Sequence, residues 1–194
     1  FHACLNSTVE EAWQARAYWR RRGLDDKTIV RFGLGYAPDD GQGLYQYLRD
    51  KGYNQQELDA SGLFKRSQSG RIYCLFWKRV MTPIFDLRGN IIAFGGRVLD
   101  DSKPKYVNSP ETLVYHKSDT VFALQIAKKS ASRRFVLCEG YMDVISMHQA
   151  GFTQAVASLG TAFTSGQASL LRRYANEILL SYDSDGAGVN AALR

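Results

Sequence analysis

Three acidic side chains could do chemistry together. Glu139 stands directly after the apolar run Phe135-Val136-Leu137-Cys138, while Asp183 and Asp185 follow the run Ile178 to Tyr182. Short runs rich in apolar and β-branched residues predict buried strands. Between and around them, Val121 to Ser130, Met142 to Gln149 and Ser165 to Arg173 predict helices, Ala155 to Ser158 a further strand, and the residues from about Gly186 a last helix. Strands alternating with helices of this length predict a parallel α/β sheet. Right-handed crossovers then bring every strand's carboxyl end to one edge, the edge where open parallel sheets bind ligands. Acids far apart in the chain would meet there. A carboxylate cluster is costly unless a cation neutralises it, and hard oxygen donors select Mg2+ or Mn2+ over zinc.

Competing readings of these residues are bland. Asp-x-Asp-Gly is common in turns, where Asp caps the following helix. A calcium loop counted from Asp183 would need an Asp or Asn where Ala187 stands and a Glu where Arg194 stands, so that reading fails. The three cysteines (Cys4, Cys74, Cys138) and three histidines (His2, His116, His148) fall at no zinc-ligand spacing, and no zinc is expected in this segment. An odd, scattered set of thiols suits a reducing compartment, which makes the cytoplasm the expectation.

The 194 residues are 45% hydrophobic and 23% charged, a globular composition. No run reaches the roughly 20 apolar residues of a membrane-spanning helix, and no secretory signal is expected at Phe1 to Asn6. Net charge is +6, and the excess is local: Ala60 to Cys138 holds 14 Lys and Arg against 5 Asp and Glu. A basic middle beside an acidic cluster suggests a surface for a polyanion, although a solvated basic face would look the same.

The elements upstream differ in texture. Ser7 to Arg22 predicts a helix, with Ser7 and Glu10 at capping-box spacing, Trp13 and Ala17 on one face, and Gly23 as its stop. Short helices are expected at Asp25 to Phe32, Gly43 to Lys51 and Asn54 to Ser61, the last with Asn54 and Glu57 at the same spacing. Strands follow at Arg71 to Trp77, Val80 to Phe85 and Ile91 to Leu99, with Asp86 to Asn90 as a hairpin turn and Lys105 to Ser109 as an extended loop.

The segments Glu139-Gly140-Tyr141-Met142-Asp143-Val144, Ala157-Ser158-Leu159-Gly160-Thr161-Ala162 and Tyr182-Asp183-Ser184-Asp185-Gly186-Ala187-Gly188 resemble the successive motifs of a Toprim domain. Arg79-Val80-Met81-Thr82-Pro83-Ile84, Phe94-Gly95-Gly96-Arg97, the stretch Pro104 to Thr112 and His116-Lys117 resemble the catalytic core of bacterial, DnaG-type DNA primases, from about Ala12 onward. The resemblance implies an N-terminal mixed α+β subdomain with antiparallel strands (residues 1–118), basic and template-binding. A Toprim-like parallel α/β sheet (residues 119–194) would follow.

It further implies a DNA-directed RNA polymerase of the primase type, making short RNA primers on single-stranded DNA from ribonucleoside triphosphates. Glu139 would be general base or metal organiser, Asp183 and Asp185 ligands of Mg2+ or Mn2+, and Asp143 a further residue of the same pocket. Arg97, Lys105 and Lys117 would contact template or nucleotide, with Tyr106 and Asn108 beside them; packing beneath its loop is the other reading of Tyr106. The alternatives are another Toprim enzyme, nuclease or topoisomerase-like, and a non-catalytic nucleic-acid-binding Toprim module. Leu75 and Trp77 stand where the family usually carries arginines. The chain stops at Arg194, before the family's further acidic motif and remaining Toprim strand, and is expected to be weakly active or inactive by itself. A zinc-binding module and a replicative helicase partner are expected of the full-length protein, as are a monomeric state and no membrane association.

Overall fold

The computed structural model describes residues 1–39, 41–159 and 163–183. The chain forms two compact units: residues 1–83 with 93–115, and residues 84–92 with the described residues from 116 onward.

The first unit begins with helices α1 (His2–Leu5), α2 (Glu10–Arg21) and α3 (Asp26–Arg31) and also holds α4 (Gly43–Asp50) and α5 (Gln55–Ala60). Its main sheet runs in the order β1 (Gly35–Ala37), β4 (Arg79–Phe85), β5 (Ile91–Val98), β6 (Tyr106–Asn108), while β2 (Phe64–Arg66) and β3 (Ile72–Cys74) pair separately. Both β1 on β4 and β6 on β5 are antiparallel, so the expected antiparallel architecture is present. The predicted hairpin turn forms as well, with Asp86 Oδ1 accepting from the N–H groups of Arg88 and Asn90, both at 2.8 Å. Ala37, Cys74, Phe76 and Met81 make a buried cluster, against which the Phe1 and Phe94 rings meet edge-on with centroids 5.1 Å apart.

The Asn54 capping box exists: Asn54 Oδ1 accepts from Glu57 N–H at 3.0 Å and Glu57 Oε2 from Asn54 N–H at 2.7 Å. The one expected at Ser7 does not. Helix α2 starts at Glu10 behind Val9, and the Ser7 hydroxyl instead donates back to the Cys4 carbonyl at 2.7 Å, because the short helix α1, absent from the sequence-based expectations, leaves that carbonyl to be satisfied. The buried face of α2 is Ala12, Ala15, Tyr18 and Trp19, and Trp13 stays 68% exposed. Residues 106–108, expected as loop, form β6 because Gly95 to Arg97 offer them a free sheet edge.

In the second unit β7 (Arg134–Cys138) lies between β8 (Ala155–Ala157) and β9 (Glu177–Ser181), all parallel as predicted. Phe135 and Leu137 join Val121, Leu124, Val156 and Leu171 in one core. By strand alternation Cys138 points the other way, toward α7 (Tyr141–Gln149), where its Sγ lies 3.4 Å from Met147 Sδ. The helix expected over 121–130 shrinks to α6 (Leu124–Ala127), since Phe122 N–H donates to the Ala157 carbonyl at 2.9 Å and draws that residue into a β-bridge. A 3-10 turn (Lys117–Asp119) packs on α8 (Ser165–Arg172). Among the described residues no helix is long and apolar enough to cross a membrane.

Gly96 is a packing requirement of the first unit. A Cβ there would come within 2.9 Å of the Phe76 ring and 3.0 Å of Arg79 Cδ. Gly96→Ala should therefore lower stability by about 1–3 kcal/mol through overpacking, read as a lower urea midpoint at unchanged slope.

Candidate active site

Parallel register decides which acids meet. Cys138 is paired with Ser181, so Glu139 and Asp183 leave neighbouring strands at the same sheet edge. Glu139 Oε2 accepts a hydrogen bond from the Asp183 backbone N–H at 3.2 Å. Both side chains are exposed. Ion pairs form elsewhere, such as Lys78 with Asp39 and Arg134 with Glu177, and among the described residues none is seen at Glu139 or Asp183. A carboxylate at each of two neighbouring strand ends is the donor type that a hard divalent cation takes. Asp185 lies outside the described residues, and among the described residues no three His, Cys, Asp or Glu side chains make a metal-holding group.

Asp143 sits on the first turn of α7 after Glu139. Its Oδ2 accepts from the Gly140 N–H at 3.0 Å, which caps the helix and fixes the turn that leaves β7. Lys117 opens the 3-10 turn and is half-buried.

The remaining predicted residues form their own group in the first unit. Arg97 on β5 is paired with Tyr106 on β6, and Asn108, half-buried, with Gly95. The Arg97 guanidinium lies against two rings, 4.9 Å from the Tyr18 centroid and 5.8 Å from that of Tyr106, and donates through Nη1 to the Val98 carbonyl at 2.8 Å. Lys105 is exposed, with its Nζ 6.0 Å from the Tyr106 centroid. The Tyr106 ring is 51% exposed, so it lies on the surface and is not packed beneath its loop. An exposed ring flanked by two cations can stack on a base while the cations meet phosphate. Leu75 packs against the apolar cluster around Phe76, and Trp77 is exposed.

Two supporting residues escaped the sequence reading. Arg79, 3% exposed, donates through Nη1 to the Lys105 carbonyl at 3.3 Å. Burial pulls its pKa down, partly opposed by the charge of Asp100. A charge at the head of a strand otherwise apolar was its signal. Tyr18 stacks on Arg97 from the buried face of α2, which it shares with Ala12, Ala15 and Trp19 and which the pairing of Trp13 with Ala17 did not reveal.

Residues 1–128 match the family described as the N-terminal domain of the DNA primase catalytic core, and residues 136–194 match the Toprim-like family. The chain belongs to the DNA primase catalytic core family. It is 48% identical over 182 residues to a DNA primase of Clostridium acetobutylicum (93% of this chain, 30% of that protein) and 51% identical over 180 residues to one of Deinococcus radiodurans (91% and 32%). It thus spans about a third of the length of these curated relatives. Among solved structures, the E. coli primase catalytic core superposes with TM-score 0.91 at 40% identity, covering all of this chain and 62% of that one. A DnaG primase catalytic domain bound to ssDNA superposes at 0.87, also at 40% identity, with the same coverage.

Cys138, immediately before Glu139, is fully buried, and burial, aided by the charge of Asp143, pushes its thiol up to about 11. The thiolate is the reactive form. At pH 8, iodoacetamide should leave Cys138 unmodified in the native protein and alkylate it in denaturant, as mapped by peptide mass. Native labelling of Cys138 as fast as that of the half-exposed Cys4 would mean that this strand end opens.

Proposed function

We propose that this chain is the catalytic part of an enzyme that makes short RNA primers on single-stranded DNA during replication, joining ribonucleoside triphosphates by nucleotidyl transfer. The meeting of Glu139 and Asp183 at one sheet edge carries the reading. Glu139, Asp183 and Asp185 would hold Mg2+, or Mn2+. The ion would supply positive charge to phosphate oxygens and a lower pKa at the primer's 3′-hydroxyl. Glu139 would accept the hydroxyl proton at a carboxylate oxygen or fix the position of the acids beside it. Asp143 would hold the turn between Glu139 and α7.

Residues 1–118 would bind template. Arg97, Lys105 and Lys117 would meet phosphates, Tyr106 would stack on a base and Asn108 would orient the strand around it. That a related catalytic domain has been captured with single-stranded DNA supports this assignment. A replicative helicase and a zinc-binding module would be partners in the full-length protein, which would act as a monomer in the cytoplasm.

In the full-length protein, Asp183→Ala and Asp185→Ala should each lower Mg2+-dependent ribonucleotide incorporation by about a hundredfold or more, with affinity for a labelled single-stranded oligonucleotide held within about twofold. Lys105→Ala should weaken that affinity and make the slope of log affinity against log salt shallower by about one. Undiminished incorporation in either aspartate variant would overturn the assignment. Mg2+-dependent cutting of the DNA without incorporation would favour a Toprim nuclease, and binding without any chemistry a non-catalytic module.

A further inference from the structure

A buried polar side chain lies beneath the turn that carries Lys117. Gln167, 1% exposed, is in the first turn of α8 and uses its whole amide. Its Oε1 accepts from the Thr164 N–H at 3.1 Å, and the Thr164 hydroxyl oxygen in return accepts from the Gln167 N–H at 3.1 Å, which completes a capping box. A capping box needs only that acceptor. The Nε2 is left over, and it donates to two carbonyls outside the helix, those of Lys117 and Thr120, each at 2.9 Å. With one N–H and two carbonyls around the amide, this is the orientation that satisfies all three bonds.

The same turn is fastened at two further points. The Thr164 hydroxyl donates to the Ser118 carbonyl at 2.5 Å, and the Asp119 carboxylate lies so close over Gly166 that a Cβ there would collide with it and reach 2.8 Å from the Ser118 carbonyl. Within the turn, the Thr120 hydroxyl donates to the His116 carbonyl at 2.7 Å. The backbone at Lys117 is therefore clamped by the start of α8, a helix that carries none of the predicted site residues.

We infer that Gln167 is a positioning residue that acts through Lys117, aiming the lysine at the phosphates of template or incoming nucleotide. The inference rests on the proposed role of Lys117. It assigns the amide a task separate from capping. Gln167→Glu separates the two, because the carboxylate keeps the acceptor for Thr164 N–H while its second oxygen now faces two carbonyls and repels them.

The experiment compares Lys117→Ala, Gln167→Glu and the double variant in the full-length protein. The readouts are KM for ribonucleoside triphosphate, kcat, and Kd for a labelled single-stranded oligonucleotide. Whichever of KM or Kd Lys117→Ala raises, Gln167→Glu should raise too, by about threefold to tenfold, with kcat at saturation within about twofold. The double variant should be no weaker than Lys117→Ala alone, the non-additivity expected of coupled residues. If Gln167→Glu lowers kcat or the folded fraction without moving KM or Kd, or if the two effects add, the inference is overturned and the role of Lys117 stands. If Lys117→Ala changes neither constant, the role of Lys117 falls and the inference with it. Should Gln167→Glu fail to fold, Gly166→Ala disturbs the same turn through Asp119 and is read by the same comparison.

Discussion

The second unit depends on a parallel pairing that brings two acidic residues to one sheet edge. Glu139 and Asp183 are separated by 44 positions, yet the register that pairs Cys138 with Ser181 delivers them to one sheet edge within a hydrogen bond of each other. A slip of one residue would exchange the faces of the strand, turning Phe135 and Leu137 out of the core they share with Leu124, Val156 and Leu171. Burial of those side chains therefore holds the register, and the register holds the acids. In that hydrogen bond the Glu139 carboxylate receives the backbone N–H of Asp183, which ties the two strand ends together.

The cationic residues of the first unit are held by a different device. Arg97 lies against two aromatic rings and has its own strand's carbonyl at one nitrogen, so among the described residues its charge is oriented without a carboxylate partner. Arg79 lies almost wholly buried, one hydrogen bond away from the backbone of Lys105. Neutralising acids would have fixed these groups more firmly, but they would have cancelled the field a polyanion needs. Rings and a backbone carbonyl hold the Arg97 guanidinium in place and leave its charge available.

Much of this was legible in order along the chain. The alternation of apolar runs with helical stretches after Val121 pointed to the parallel sheet, and Asn54 with Glu57 to a capping box that exists with both hydrogen bonds. Such signals are local: a strand's apolar face and a helix's first turn are written within a few residues. Ser7 misled because its spacing to Glu10 suited a cap, while α1 upstream offered its hydroxyl the Cys4 carbonyl. The strand at 106–108 was missed because its composition is that of a loop and its partner, Gly95 to Arg97, is what makes it a strand.

Sequence by itself determined the residue types of the site, the α/β rhythm around Glu139 and Asp183 and, through motif spelling, the family. It could do so because carboxylates at strand ends and periodic apolar positions are features of short windows. Tertiary structure alone decided that Tyr18 stacks on Arg97, that Arg79 lies under Lys105, and that Gln167 grips the turn of Lys117 across 50 positions. Each of those contacts joins residues whose neighbours in the chain say nothing of the partner. Packing of distant elements sets the distance between them, and no local periodicity encodes it.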